Sequence, residues 1–252
     1  MSFNTKDSRR GGFYFHPQTN RPYITVTTAE HIVSSYFIDR WQQEQIWTAM
    51  VNNPNLTKEE ALQAPRTTLN LAANRGLSIH DITEKLDEGK TLDELDQTYR
   101  AQGQAWLDFK NKYDVHIVES ELTMYSDEWG FAGTLDRVVT FGVDPEVCIL
   151  DIKSNKNGQI YPDVAVQVSA YKYMYNSLPV PKPATKMFGW AVDLQGKWQL
   201  KELYEAFDQF LARKHCWEWE NKSLCEDVGY YDWFEKGQNQ IINEAWKGGD
   251  IT

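Results

Sequence analysis

The sequence predicts an α/β or α+β fold in which helices flank a single central mixed sheet. Helical patterns fill the first third of the chain, β-branched runs separated by turn residues follow, and a helix, a hairpin and another helix complete the order. With 252 residues the chain can bury a sizeable core, and no repeat or long linker divides it into two domains. We therefore expect one main domain with appendages.

The N-terminal third begins with a short strand and continues as helices. Residues 22–27 (PYITVT) predict the strand, and Thr28 is placed to cap a helix over 29–53 that breaks near Phe37. A capping-box pattern, TKEE at 57–60, starts a further short helix. The remaining patterns predict a longer helix over 67–86, a stop at Gly89 and one or two helices over 91–113.

Three strands are predicted in the middle of the chain, where the hydrophobic period changes. The runs at 115–125, 131–141 and 147–153 are β-branched or apolar and are separated by turn residues, so they predict a meander. The patterns that follow predict a helix over 161–178, a hairpin formed by 185–194 and 197–203, and a last helix over 202–220. The tail from Asn221 is aromatic and acidic and predicts no element.

Two aspartates come together if the turn between the second and third of these strands holds the four residues 142–145. Phe141 then faces Glu146, and Asp136 lies directly opposite Asp151, with Cβ atoms about 5 Å apart.

The apolar positions favour this register. It places Leu135 opposite Ile152 and Val139 opposite Cys148, which gives one consistently apolar face. A slip by one residue would mix the two faces, and a sheet with a buried face resists that. In the favoured register Lys153 shares the face of the two aspartates.

Two carboxylates this close repel each other unless a cation lies between them. A few hard oxygen ligands, with room left for water and phosphate, suit Mg²⁺ or Mn²⁺ better than zinc. The neighbouring Lys153 can hold an attacking water or stabilise charge that develops on a phosphate. The alternative is a surface ion-pair cluster in which Asp136 and Asp151 only neutralise Arg137 and Lys153.

Composition limits the classes of protein that fit. A formal net charge of -10 argues against a general polyanion binder, which usually carries a basic footprint. No stretch is apolar enough to span a membrane, and the first residues lack the apolar core of a secretory signal. Three cysteines, Cys148, Cys216 and Cys225, cannot all pair, so we expect a reduced, intracellular chain.

Four short motifs occur in order around these strands: RGLSIH at 75–80, GTLD at 133–136, DIK at 151–153 and QVSAY at 167–171. In this order, and on these predicted elements, they resemble the PD-(D/E)XK nuclease superfamily, and within it the RecB-like exonucleases of bacteria, phages and mitochondria. The resemblance covers roughly half of the chain, from about residue 69 to 192, and implies a restriction-endonuclease-like core.

The resemblance also implies a division of the chain and a location. We expect an N-terminal tail and helical extension over 1–66, a nuclease core over 67–220 and a C-terminal tail over 221–252 packed on the core. The location would be the cytoplasm of a bacterial or phage-infected cell, with no membrane contact.

Each motif residue receives a role from the resemblance. The metal ligands would be Asp136, Asp151 and the main-chain carbonyl of Ile152, with His80 completing or orienting the metal shell. Lys153 would activate the water, while Gln167 and Tyr171, one helical turn apart, would position the lysine or the DNA backbone. Further residues expected to contact the substrate are Glu121, Arg137, Lys156 and Lys172. Taken alone, His80 is more often a core or surface residue, and Tyr171 a core residue. Gly76 would let its helix approach the sheet closely.

The function that the resemblance implies is a metal-dependent deoxyribonuclease, and in particular an exonuclease acting on DNA ends or single strands in recombination, repair or phage DNA processing. It would use one or two Mg²⁺ or Mn²⁺ ions. With three cysteines and none upstream of the core, we expect no iron–sulfur cluster. A recombination or replication protein is a further expected partner, and the sequence leaves the oligomeric state open. Two alternatives stay open: a structure-specific endonuclease, and a catalytically inactive DNA-binding or assembly protein.

Overall fold

A computed structural model describes residues 9–32 and 36–234, with an eight-stranded sheet at its centre. The strands are β1 (Arg9–Arg10), β2 (Phe13–Phe15), β3 (Pro22–Thr25), β4 (Val115–Ser126), β5 (Phe131–Phe141), β6 (Asp144–Ser154), β7 (Ala184–Val192) and β8 (Trp198–Glu202). They follow the order β1-β2-β3-β5-β6-β7-β8, and β4 pairs with the other edge of β5. Two pairs, β3–β5 and β6–β7, are parallel and the others antiparallel, which confirms the predicted mixed sheet.

Helices cover both faces of this sheet. They are α1 (Val26–Glu30), α2 (Tyr36–Asn52), α3 (Lys58–Asp87), α4 (Arg100–Tyr113), α5 (Pro162–Ser177), α6 (Phe207–Glu220) and α7 (Lys222–Asp227). The C-terminal part of α3 packs with α4 on one face through residues such as Ile79 and Trp106. On the other face α5 and α6 bury residues such as Val168 and Phe210. Within the described residues no helix is long and apolar enough to cross a membrane.

The first helices differ from the predicted ones. Thr25 caps α1, because its side chain accepts a hydrogen bond from the Thr28 main-chain N–H at 3.1 Å, so the helix begins before the predicted cap. The break also comes earlier than Phe37, since α1 ends at Glu30 and α2 begins at Tyr36.

The capping box at Thr57 is confirmed, but the short helix and the longer helix predicted after it form one helix, α3, of 30 residues. The helix continues through Pro65, which lacks a main-chain donor and is buried. α3 therefore runs across residue 66, where a region boundary was predicted. In addition, residues 9–25 contribute three strands to the central sheet. The division into three regions stays a prediction.

The later elements follow the predicted order. The meander β4–β6, the helix α5 and the hairpin β7–β8 are present, whereas α6 begins at Phe207 rather than near 202. The part of the C-terminal tail that the structure describes packs on the core, because Tyr230 and Phe234 are buried there.

The register predicted between β5 and β6 is confirmed beside the aspartates, where Arg137 pairs with Leu150 and Val139 with Cys148. The predicted four-residue turn is wrong, because Phe141 pairs with Asp144 and the register shifts just before it. Gly142 takes a left-handed φ of 57°, which permits a two-residue turn in this place.

Candidate metal and catalytic site

The regular alternation of side chains between the two faces of β5 is interrupted near Asp136, and the candidate site lies at this interruption. Leu135 and Val138 pack in the same core cluster beside α5, although residues three apart in a regular strand point to opposite faces. Glu121 lies opposite Asp136 on the neighbouring strand β4. It has a φ of 49°, a left-handed conformation that is rare outside glycine. The predicted apolar face is therefore wrong at one pair, because Leu135 and Ile152 belong to clusters on opposite sides of the sheet.

One edge of β5 is open at the same level. β3 pairs with β5 at Phe131 and Ala132, and β6 pairs with it from Arg137 onward. Among the described strands none pairs with residues 133–136 on this edge. Asp136 fills the gap with its side chain, since Oδ2 accepts a hydrogen bond of 2.6 Å from the Ile152 main-chain N–H.

Three side chains from three elements meet at this opening. His80 of α3, Glu121 of β4 and Asp136 of β5 bring one ligand atom each to within 4.8 Å of one another. Nδ1 of His80 lies 3.6 Å from Oε1 of Glu121 and 3.5 Å from Oδ1 of Asp136. Nε2 of the same ring lies 3.1 Å from the Ile152 carbonyl oxygen. The group thus offers one imidazole, two carboxylates and a carbonyl, and it includes Glu121, which the sequence assigned to substrate contact.

Asp151 lies outside that group and is paired with Lys153. Its side chain is 1% exposed, and its two oxygens lie 2.8 Å and 3.1 Å from Nζ of Lys153. The closer oxygen, Oδ2, is within ion-pair distance but accepts no hydrogen bond of acceptable geometry from the described residues. The ammonium group therefore attracts Oδ2 without a directed hydrogen bond, because Coulomb attraction depends on distance and a hydrogen bond also depends on direction.

A chain of hydrogen bonds continues from Lys153 to α5. Nζ donates to Oε1 of Gln167 at 2.9 Å, and Nε2 of Gln167 donates to the Tyr171 hydroxyl at 3.0 Å. The Tyr171 ring lies against Gly133, where an added Cβ would stand 2.6 Å from Cε1 of the ring. The glycine of the GTLD motif therefore allows Tyr171 to approach the strand.

Burial and charge together set the protonation of the site. Burial lowers the pKa of His80, but the carboxylates of Asp136 and Glu121 outweigh it and raise the pKa to about 9. Burial also lowers the pKa of Lys153, and the carboxylates of Asp151 and Asp136 raise it further than burial lowers it. Burial raises the pKa of Asp151, while the charge of Lys153 opposes the rise. In the metal-free protein both basic groups are therefore protonated at neutral pH.

The three basic residues expected to contact the substrate have different surroundings in the structure. Arg137 is 0% exposed and donates only to protein acceptors among the described residues, so its assignment to substrate contact is wrong. Lys172 pairs with Glu205 at 2.7 Å, and its contact with the substrate stays a prediction. Lys156 is exposed in the turn after β6, close in sequence to Lys153, and its role stays a prediction.

Sequence reasoning missed three polar residues near the site. Thr83 and Asp87 follow His80 on α3 at spacings of three and seven, and this helical spacing could have placed them on the histidine's face. Glu30 of α1 is buried, and burial raises its pKa to about 7 against the charge of Lys153. No local pattern marks Glu30, because the sequence predicted a longer helix in this part of the chain.

Comparisons with known proteins add little to these observations. No family model and no curated protein matches the sequence. The crystal structure of SSO0001 is similar over 77% of this chain and 74% of its own, at 13% identity and a TM-score of 0.37. An alkaline exonuclease, LHK-Exo from Laribacter hongkongensis, is similar over 86% of this chain and 94% of its own, at 10% identity and a TM-score of 0.42.

The fold belongs to the mixed α/β class, and its central sheet with flanking helices is consistent with a restriction-endonuclease-like fold. Likeness at this level of identity carries no information about activity, which has to be inferred from the side chains of the site.

Proposed function

We propose that this protein is a divalent-metal-dependent nuclease that hydrolyses phosphodiester bonds in DNA. The observation that carries the proposal is the meeting of His80, Glu121 and Asp136 within 4.8 Å, beside the buried pair of Asp151 and Lys153. Glu121, Asp136 and Asp151 give this place three carboxylates, which protonated His80 and Lys153 offset only in part, so a divalent cation would add the positive charge that attracts a phosphate.

The donor set fits Mg²⁺ or Mn²⁺. Carboxylate and carbonyl oxygens suit these ions, and they outnumber the single imidazole. The group is partly exposed, which leaves room for water and phosphate. Asp151 adds a buried oxygen, Oδ2, without a hydrogen bond of acceptable geometry. The residues proposed to hold one or two ions are therefore His80, Glu121, Asp136, Asp151 and the carbonyl of Ile152. When bound, the metal would supply Lewis-acid charge and a more acidic water.

Lys153 is proposed to hold the attacking water or a phosphate oxygen. Within the described residues its ammonium group donates to Asp151 and Gln167, which uses two of three N–H groups. The side chain is 30% exposed, so the third N–H is available to a group that enters from solvent. Gln167 fixes the direction of the ammonium group, and Tyr171 fixes Gln167.

The finer form of the proposal is an exonuclease that acts on DNA ends or single strands in the cytoplasm of a bacterial or phage-infected cell. It is supported by the motif resemblance and by the exposed Lys156 near the site. A recombination or replication protein is proposed as a further partner on the same ground. A structure-specific endonuclease on the same fold is the second candidate, because the site residues serve both reactions.

The test compares wild type with Lys153→Ala on end-labelled linear DNA in the presence of Mg²⁺ or Mn²⁺. We expect degradation by wild type and a loss of at least about a thousandfold in the variant, since a group acting on the reacting phosphate is removed. Lys186→Ala is the matched control, because that lysine is exposed and pairs with Glu146 in the first part of β6, and its rate should stay within about twofold of wild type.

Two outcomes would contradict the proposal. Metal-dependent degradation that survives in clean Lys153→Ala protein excludes the assigned mechanism. DNA binding by wild type without degradation of linear or circular DNA favours an inactive binding protein. Cleavage of circular single-stranded DNA favours the endonuclease, since an obligate exonuclease leaves a circle intact.

A further inference from the structure

We infer that Arg137 is a positioning residue that holds Glu121 in the metal-binding group and thereby sets the affinity of the site for a divalent cation. The inference rests on the proposed function, because it concerns the same group of side chains. Arg137 does not touch the substrate in this scheme, and acts only through Glu121.

The guanidinium group of Arg137 is held by four acceptors inside the protein. Nε donates to Oδ2 of Asp87 at 3.0 Å, and Nη2 donates to Oγ1 of Thr83 at 3.3 Å. Nη1 donates to Oε1 of Glu121 at 3.1 Å and to the carbonyl oxygen of Asp136 at 2.8 Å. The side chain is fully buried, and its planar fork links α3, β4 and β5.

The far end of this network is anchored on α4. Oδ1 of Asp87 accepts hydrogen bonds from Nε1 of Trp106 at 2.9 Å and from Nζ of Lys110 at 2.7 Å. Asp87 is nearly buried itself, and Trp106 and Lys110 fix its carboxylate independently of Arg137. Arg137 is therefore a rigid connector between this anchor and Glu121, rather than a mobile surface charge.

Glu121 needs such a connection because its own backbone is unfavourable. It has a φ of 49° within a strand, a conformation that costs free energy for a residue with a side chain. Oε1 of Glu121 faces both Nη1 of Arg137 at 3.1 Å and Nδ1 of His80 at 3.6 Å. The arginine thus orients the carboxylate toward the histidine and lowers its repulsion with the neighbouring Asp136.

The test separates position from charge. Arg137→Lys keeps the positive charge but loses the planar fork, so a change in Mn²⁺ affinity reports geometry. We expect titration calorimetry to show binding of Mn²⁺ about tenfold weaker than in wild type, as for other residues that support metal ligands. Lys214→Arg is the matched control: Lys214 is also fully buried and paired, with Glu218 at 2.5 Å on α6, and its variant should bind Mn²⁺ as wild type does.

A double-mutant cycle then tests the path of the effect. If Arg137 acts through Glu121, Arg137→Lys causes no further loss of Mn²⁺ affinity in a Glu121→Gln background. An equal loss in that background, or wild-type affinity in Arg137→Lys, overturns the inference. If Arg137→Lys does not fold by circular dichroism, Asp87→Asn loosens the same network from its anchor, and unchanged Mn²⁺ affinity there overturns it equally.

The result also distinguishes this inference from the proposed function. Wild-type protein that binds no Mn²⁺ contradicts both. Wild-type protein that binds Mn²⁺ and degrades DNA, beside an Arg137→Lys variant that binds Mn²⁺ equally well, contradicts only the role of Arg137.

Discussion

The two sides of the candidate site are built from different chemistry. On the side of α3, His80, Glu121 and Asp136 form a group backed by the buried network through Arg137. On the side of α5, Lys153 is held by Asp151 and by the neutral amide of Gln167. The first arrangement collects negative charge for a cation, and the second orients an ammonium group. We therefore expect the α3 side to govern metal affinity and the α5 side to govern turnover once metal is bound.

Asp136→Asn should have the largest effect, because Asp136 belongs to the α3 side and also binds the main chain of β6, the strand that carries Asp151 and Lys153. One oxygen lies 3.5 Å from Nδ1 of His80 and the other accepts from the Ile152 N–H. We expect Mn²⁺ affinity to fall by about a hundredfold and DNA hydrolysis by about a thousandfold, measured by calorimetry and by digestion of labelled linear DNA. Glu146→Gln serves as control, since this acid lies in the first part of β6 and pairs with Lys186 of β7. Unchanged Mn²⁺ binding in Asp136→Asn would remove the α3 side from metal binding.

Gln167→Met should separate the two sides. The variant keeps an unbranched side chain but removes the acceptor of Lys153, so the ammonium group loses its direction. We expect turnover to fall by about tenfold to a hundredfold, while Mn²⁺ affinity changes by less than about twofold. Tyr171→Phe should lower turnover less, because the hydroxyl reaches Lys153 only through Gln167. A parallel loss of Mn²⁺ affinity in Gln167→Met would show that the sides do not act separately.

Above about pH 7 the pH dependence of metal binding should report His80 on the α3 side, because burial raises the pKa of Asp151 only to about 6. The carboxylates raise the pKa of His80 to about 9, above its ordinary value of about 6.5. In the metal-free protein the stabilisation from protonated His80 is complete below about 6.5 and is lost as the pH rises through about 9. Because a metal ligand must be deprotonated, Mn²⁺ affinity should increase with pH up to about 9.

Calorimetry in buffers of different ionisation enthalpy measures how many protons the protein releases when Mn²⁺ binds. Near pH 7.5 we expect release of about one proton per Mn²⁺ bound in wild type and almost none in His80→Asn. If wild type binds Mn²⁺ without releasing a proton, His80 keeps its proton and is not a ligand of the metal.

The two sides also differ in how far the sequence predicts them. The α5 side comes from contiguous motifs: the DIK strand and the glutamine and tyrosine one helical turn apart are visible as patterns, and the strand register follows from apolar positions. The α3 side depends on Asp87, Glu121 and Arg137, which lie far apart in the sequence. Their meeting requires the change of face in β5 and a left-handed Glu121, and a glutamate gives no local signal for that conformation. Arg137 was accordingly assigned to the substrate, although its side chain points into the protein.

Two glycines extend this contrast to stability, and they should give the smallest effects. Gly133, on the α5 side, leaves no space for a methyl group, because an added Cβ would stand 2.6 Å from Cε1 of Tyr171 and 3.0 Å from Cγ2 of Val26. We expect Gly133→Ala to lower the free energy of unfolding by about 1–3 kcal/mol, as overpacking does in other cores. Chemical denaturation at fixed pH measures this change.

Gly76, on α3 one turn before His80, should respond in the opposite direction. The expected close approach of this helix to the sheet at Gly76 is wrong, because among the described residues no atom outside the adjoining helix backbone lies within 4 Å of an added Cβ there. Alanine is the better helix former, so Gly76→Ala should raise the free energy of unfolding by about 0.5–1 kcal/mol. If the same variant also weakens DNA binding, the open space above Gly76 belongs to the path of the substrate. If the free energy of unfolding falls instead, the prediction is wrong and Gly76 has a contact that a methyl group disturbs.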